Sequence, residues 1–572
     1  MKQIKHMILL CLFCLTGIAA QAQEKGPASN EIWYTATAKL AEVTGTGSTA
    51  GLHYEVFKDA DDKTLTMKSH TWEEAIGKGV ITFDGGIATV GGNAFRSCSA
   101  LSSITIPASV TSIGKQAFNS CYNNSSKKTG LTEVTFAEGS KLETIGESAF
   151  NGCKVLSSIT IPASVTSIGK QAFYGCTKLE TVTFAKGSKL ETIGESAFNG
   201  CKVLSSITIQ ASVTSIGNFA FQYCYALESI NIPASVTSFG WAPFNGCTGL
   251  EAISVDAGNP VFSSPDGCNA IIETAKNTLI QGCKNTVIPE SVKIIGTYAF
   301  QNMATLESID IPASVTSISS CAFQFCDKLK SVTIPASSVL ESLGSNAFGT
   351  CKALESINIP ASVTSLEDYT FNFCSNLKSV TVNWAEADKI VQINSKVFKD
   401  VYEGMTLIVP AGTESLYAAA TGWSSYAEKM KVYITANQDP NNKKDYYATF
   451  YSSSKAYKLP TEDVTAYTGA VDGSVLKLKP IADGIIPAGE GVVLKLTSTD
   501  DTEAKVNILV EKSTEAGTKD TENVLTGTDT AIDSAPAGTK AFSLGESGVG
   551  FYLWTGKPIG AHKAYIPAAT QE

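Results

Sequence analysis

The side chains best equipped for chemistry in this chain are its cysteines, and they recur at a fixed place. Of 15 cysteines, a long series stands three residues after a phenylalanine: Cys98, Cys121, Cys153, Cys176, Cys201, Cys224, Cys247, Cys326, Cys351 and Cys374. Thiols in series can bridge, hold a metal, or pack as small hydrophobes. After Phe300 the same place is taken by Met303, which fills space but cannot bridge. The spacing therefore favours a buried thiol ladder over stacked disulfides or a metal site. Cys268 and Cys283 fall outside the series. A tight turn at Thr274–Asn277 would set them directly opposite each other across a hairpin, and a disulfide between them is open in an exported chain. Cys321 has no evident partner.

Catalytic constellations are sparse. The chain has 4 histidines, and His53, His70 and His562 lack the H-E-x-x-H spacing of a zinc site. No G-x-S-x-G elbow, phosphate loop or dinucleotide fingerprint occurs. Gly-Ser-Lys at 139–141 and 187–189 reads as turns, and Glu143, Glu147, Glu191 and Glu195 repeat as a solvated face would. The expectation is a chain that is not an enzyme and carries no cofactor or metal.

What positions these residues is internal repetition. Leu101–Cys121 recurs almost verbatim as Leu156–Cys176, with weaker copies from Leu204, Leu227, Leu306 and Leu354. Anchor phenylalanines fall at Phe95, Phe118, Phe150, Phe173, Phe198, Phe221, Phe244, Phe300, Phe323, Phe348, Phe371 and Phe398, and most steps are 23 or 25 residues. Such a period is the mark of a solenoid. Within one unit, Leu101-x-x-Ile104-x-Ile106 turns three apolar side chains inward from a short strand, matching half of a leucine-rich repeat. Pro107 stops that strand, and Val110 and Ile113 form a second extended piece. Ile113, Ala117 and Cys121 follow at helical spacing beside Phe118. The expected fold is a leucine-rich-repeat solenoid of about 13 coils, with short parallel strands and helical or 3-10 turns, followed by a carboxy-terminal all-β, sandwich-like domain.

Two surfaces are candidates for binding. The outward strand positions are Ser103 and Thr105, Ser158 and Thr160, Thr181 and Thr183, Ser206 and Thr208, Ser229 and Asn231, and Ser308 and Asp310. This row of hydroxyls reads first as solvent-facing β-formers, and second as a flat polar face for glycan-like ligands. After the anchors, Tyr174, Tyr223, Tyr225, Phe325 and Phe373 interrupt small residues. Scattered aromatics of this kind more often cover a core edge than bind a ligand.

The ends differ from the repeats. Residues 1–22 read as a cleavable export signal, with Lys2 and Lys5 before the apolar run Met7–Ala19 and a small-x-small site at Ala20–Ala22. Residues 23–79 read as a β-rich cap. The solenoid is placed at 80–435, with an insertion at 257–287 and a closing unit at 383–430. A linker at 436–445 leads to alternating apolar and polar runs over 446–572, the sandwich-like domain. A net charge of −10 without a basic stripe argues against nucleic acid. No later run is long and apolar enough to span a membrane, and the mature chain is expected to be monomeric.

The pattern I-P-x-S-V-T-S-I-G-x-x-A-F-x-x-C, as in Ile161–Cys176, resembles the BspA-like leucine-rich repeats of surface proteins in Bacteroides-type bacteria. Asn259–Phe262 through Cys268 to Cys283 looks like an insertion recurrent in such arrays, and Leu407–Pro410, Tyr417 and Trp423 look like their closing unit. The resemblance implies a secreted or cell-surface, adhesin-like protein that contacts host or extracellular-matrix proteins. The alternative is a surface scaffold that binds glycans for nutrient capture.

Overall fold

The computed structural model describes residues 26–43, 50–123 and 129–439, and segments between 444 and 566, namely 444–452, 456–459, 463–472, 475–488, 490–497, 505–512, 516–517, 519–520, 523, 525–528, 540–545, 548–553 and 563–566. The export signal, residues 124–128 and His562 lie outside the described residues. The chain divides into two compact units, Met1–Leu306 with Ala322–Asp327, and Glu307–Cys321 with Lys328–Glu572.

In the first unit each coil contributes two short strands and a ladder of turns. Isoleucine and valine alternate with serine and threonine, so one face of each strand enters the core while the other meets water. One sheet stacks seven second strands in order, from Thr89–Val90 through Ser112–Ile113, Thr144–Ile145, Ser167–Ile168, Thr192–Ile193 and Ser215–Ile216 to Ser238–Phe239. These strands pair in parallel, with like residues in register. The first strands pair likewise, Ser158–Ile161 with Thr181–Phe184 and Ser229–Ile232 with Ala252–Val255. Where the chain leaves the second strand, successive backbones nearly touch: a Cβ on Gly169 would stand 2.8 Å from the carbonyl carbon of Gly146.

The third side is not helical, contrary to expectation. Gln116 and Ser120 both have φ near 58°, and a right-handed helix cannot run through left-handed residues. The backbone N–H groups of Ala117, Asn119 and Cys121 close turns onto Gly114, Gln116 and Phe118, while those of Gln116, Phe118 and Ser120 donate to Glu147, Ala149 and Asn151 of the next coil at 2.7–2.8 Å. Alternate donors thus serve the coil and its neighbour. The inward spacing of four residues mimics a helix, although the chain makes a ladder of turns. The solenoid has about 15 turns rather than 13, since strands in the insertion and the closing segment carry no anchor phenylalanine.

The anchors form one continuous stack from Phe95 to Phe244, with centroids 5.0–5.4 Å apart and planes within 6°. Every ring in it is buried. At the amino-terminal end, Glu31–Ala36 lies antiparallel between Lys78–Phe83 and Leu101–Ile106, so the edge of the first long coil strand is paired rather than open.

The insertion folds as a hairpin, Ala270–Glu273 against Thr278–Gly282. A bulge between Ile271 and Ile272 shifts the register, so that Ala270 faces Gly282. Cys268 and Cys283 are therefore not directly opposite, because the extra residue on the second strand displaces one past the other. Both are buried free thiols.

The second unit repeats the scheme. Ser317–Ile318, Ser342–Leu343 and Ser365–Leu366 pair in parallel, as do Ser356–Ile359, Ser379–Val382, Thr406–Pro410 and Met430–Gln438. Its stack runs from Phe348 through Phe371 to Phe398 and ends against Trp423. The indoles of Trp384 and Trp423 donate to the carbonyls of Val363 and Val391 at 2.8 and 2.7 Å, which satisfies their buried polar tips. Met430–Gln438 then pairs antiparallel with Lys505–Lys512, so residues 436–438, expected to begin a linker, continue a strand. The strands beyond it are antiparallel.

Candidate functional site

The thiol series sits inside the turns. Members of the series donate from Sγ to the carbonyl oxygen of an anchor phenylalanine in a preceding coil, as in Cys121 to Phe95 (2.9 Å), Cys153 to Phe118 (3.1 Å), Cys176 to Phe150 (3.1 Å), Cys247 to Phe221 (3.1 Å) and Cys374 to Phe348 (3.1 Å). Burial pushes the thiols of Cys98, Cys247 and Cys374 up to about 12, and it raises those of Cys176, Cys201 and Cys224 well above the ordinary value. A neutral, buried thiol is a poor nucleophile. Alkylation of the native protein at mildly alkaline pH, read by mass spectrometry, should therefore spare the series and label half-buried Cys321 first. Rapid native labelling of Cys176 or Cys201 would refute this.

The strand positions lie where alternation places them. Ser158, Thr160, Thr181, Thr183, Ser206, Thr208, Ser229, Asn231, Ser308 and Asp310 are exposed, and Ser103 and Thr105 half-buried. Like faces like: Ser158 opposes Thr181, Thr160 opposes Thr183, and Ser308 opposes Ser331. No large side chain interrupts these exposed strands, so they offer polarity without shape.

The aromatics stand differently. In the coils anchored from Phe95 to Phe371 two residues take left-handed backbone, one two places before the anchor and one two places after it; the coil of Phe398 keeps only the second, Asp400. After the anchor, glycine serves at Gly152, Gly175, Gly200 and Gly246, and Asn302 serves in the coil of Phe300. In other coils the same place holds Tyr223 (φ 59°), Phe325 (φ 61°) and Phe373 (φ 56°). Bulky residues are disfavoured there by about 1 kcal/mol or more. Phe325 and Phe373 are nonetheless 40% and 48% exposed, so burial does not offset that cost fully. Tyr223 and Tyr225 lie together, with ring centroids 5.9 Å apart, and Lys202 stands over Tyr225. Tyr174, also exposed, lies two coils earlier. Trp241, 71% exposed, escaped the sequence reading; its signal was its place three residues before an anchor, where Lys115, Glu147, Lys170 and Glu195 form surface ion pairs.

A second feature the sequence did not disclose is a chain of side-chain amides beside these aromatics. Asn199 donates to Gln222 (2.7 Å), Gln222 to Asn245 (3.2 Å), Asn245 to Gln301, and Gln301 to Gln324 (2.7 Å). The link from Asn245 to Gln301 passes over the whole insertion, so the turns on either side of it stack as neighbours. The cap holds a row of contacts that runs from the core to the surface: the hydroxyl of buried Tyr34 lies 2.7 Å from Nε2 of His70, whose Nδ1 lies 2.8 Å from exposed Glu42. Burial lowers His70, and the hydrogen bond from His70 lowers Glu42. Among the described residues no cluster of histidine, cysteine or carboxylate side chains could hold a metal ion, and no helix is long and apolar enough to cross a membrane.

Comparison with known proteins accords with this geometry. The family model of the BspA type leucine rich repeat region matches six copies over residues 75–128, 122–251 and 279–420, and the stretch it omits contains most of the insertion hairpin. No curated protein matches the chain. Among solved structures, a leucine rich cell surface protein from Faecalibacterium prausnitzii is 28% identical, over 62% of this chain and 88% of its own, with a TM-score of 0.48. The pneumococcal vaccine antigen PcpA is 27% identical, over 54% and 68%, at 0.41. A leucine-rich repeat protein from Eubacterium ventriosum is 26% identical, over 49% and 72%, at 0.40. The chain belongs to the family of BspA-type leucine-rich-repeat proteins.

Proposed function

We propose that this is an exported, surface-displayed binding protein, adhesin-like rather than catalytic, whose turn face docks host or matrix proteins. One observation carries the reading: Phe325 and Phe373 stand exposed, and Tyr223 half-buried beside exposed Tyr225, at left-handed positions that glycine or asparagine would fill at lower cost. Strain of this kind is retained at surfaces that do something, and exposed Tyr, Trp and Phe are the side chains that anchor protein interfaces. The expected export signal supplies the route out, and the polar strand face keeps the scaffold soluble.

The test is a combined Tyr223→Asn, Tyr225→Ala and Trp241→Ala variant of the full chain, assayed against immobilised matrix proteins. Binding to a partner of the unmodified protein should weaken by about tenfold or more, while Tyr223→Asn alone should leave the melting temperature unchanged or raise it. Equal binding by the combined variant would overturn the reading.

A further inference from the structure

The outer face of the amino-terminal sheet holds a cleft of about 340 Å³, lined chiefly by Trp33, Thr35, Lys78, Val80, Ser103 and Thr105. Strand register explains the gathering. Trp33 faces Val80 on one side and Thr105 on the other, and Thr35 faces Lys78 and Ser103 in the same way. Because side chains alternate, these six share one face, while Ile32 and Tyr34 turn into the core. Neither the cap nor the first coil makes the cleft alone, since Ser103 and Thr105 belong to the coil and the rest precede it.

Its floor is ordered. The Trp33 indole N–H donates to a Glu31 carboxylate oxygen at 3.0 Å, which fixes the ring on the sheet. The hydroxyls of Thr35 and Ser103 lie 2.7 Å apart, which ties cap to coil. Among the described residues no other aromatic ring stacks on Trp33, so its face is not taken up by the fold. Lys78 is exposed at the end of the row. A flat apolar ring is thus bordered by hydroxyls that can donate or accept, with a single cation at one side. The volume lies at the small end of the range for small-molecule sites, about 300–1,000 Å³.

A pyranose ring has the complementary chemistry. One of its faces presents C–H groups to an aromatic ring, and its rim carries hydroxyls that pair with either role. An anion would meet one lysine and a neighbouring carboxylate, and a peptide side chain would find no deep apolar slot. We propose that the junction between cap and first coil binds one neutral hexopyranose unit, free or at the end of a glycan, stacked on Trp33 and hydrogen-bonded by Ser103, Thr105 and Lys78. The site is separate from the turn face and does not depend on its role.

The experiment titrates the intact mature protein with methyl glycosides of glucose, galactose, mannose and N-acetylglucosamine, followed by saturation-transfer NMR and tryptophan fluorescence. At least one should bind saturably in the millimolar range. Trp33→Ala should weaken it by about tenfold or more, and Thr105→Tyr, which fills the cleft from a half-buried polar position, should do the same without touching the indole. Tyr223→Asn should leave sugar binding intact, so loss of matrix-protein binding and loss of sugar binding can be told apart. If no glycoside binds saturably, or if Thr105→Tyr binds as the unmodified protein does, the proposal is overturned. Should Trp33→Ala fail to fold, Thr105→Tyr decides.

Discussion

Phe173→Ala is expected to remove about 3–5 kcal/mol of stability, as would loss of any equally buried ring in the stack. The Phe173 ring is fully buried and lies 5.3 Å from Phe150 and 5.2 Å from Phe198. Its removal strips one stacking partner from each of two neighbours, which keep only Phe118 and Phe221, and leaves an empty space that a backbone so tightly stacked cannot collapse to fill. Each coil touches only its neighbours, so the damage should stay local. Hydrogen exchange should lose protection over the coils of Phe150, Phe173 and Phe198 while the coils of Phe348 and Phe371 keep theirs. Uniform loss along the chain, or an unchanged denaturation midpoint, would contradict the nearest-neighbour account.

Alkali should unfold the protein through its thiols. The ordinary cysteine value is 9.0, and burial carries Cys98, Cys247 and Cys374 to about 12. Between those limits the unfolded chain has released protons that the folded chain still holds, so stability falls as pH rises; below pH 9 the contribution is fully present. Each thiol shifted in this way removes about 1.4 kcal/mol per pH unit across the window, and the others in the series move in the same direction. Denaturant midpoints taken at neutral pH, near pH 9 and at about pH 11 should drop steeply only over the last interval. Cys247→Ala should make that drop shallower. A flat profile would mean that the thiols are not buried as a ladder.

The repeat, its core and the inert character of the thiols were legible because each rests on residues recurring at one spacing: Leu101, Ile104, Ile106, Val110, Phe118 and Cys121 all point inward in coil after coil. The turn geometry was hidden for the same reason. Ile113, Ala117 and Cys121 are four apart in a helix and four apart in a ladder of turns, and the left-handed places hold Gln116 and Ser120, which carry no turn signal of their own. Only the glycines of other coils hinted at them. The cysteines of the insertion were misplaced by a single bulge at Ile271/Ile272, a one-residue event with no compositional mark. Least legible was the cleft at Trp33, since it depends on a unique segment pairing antiparallel with a strand far along the chain, Trp33 against Thr105, and nothing periodic announces that partner.

The in-register facing of like residues, Thr144 between Ser112 and Ser167 and Thr192 between Ser167 and Ser215, has a consequence for inheritance. Deleting or duplicating one whole coil would bring together surfaces that already match, with the same isoleucines, the same ring and the same thiol on either side. Recombination between such near-identical segments changes the number of coils without asking for a new interface. Coil number in a lineage of such proteins is then free to drift, whereas the cap and the closing aromatic cluster, each present once, have no spare copy from which to be rebuilt.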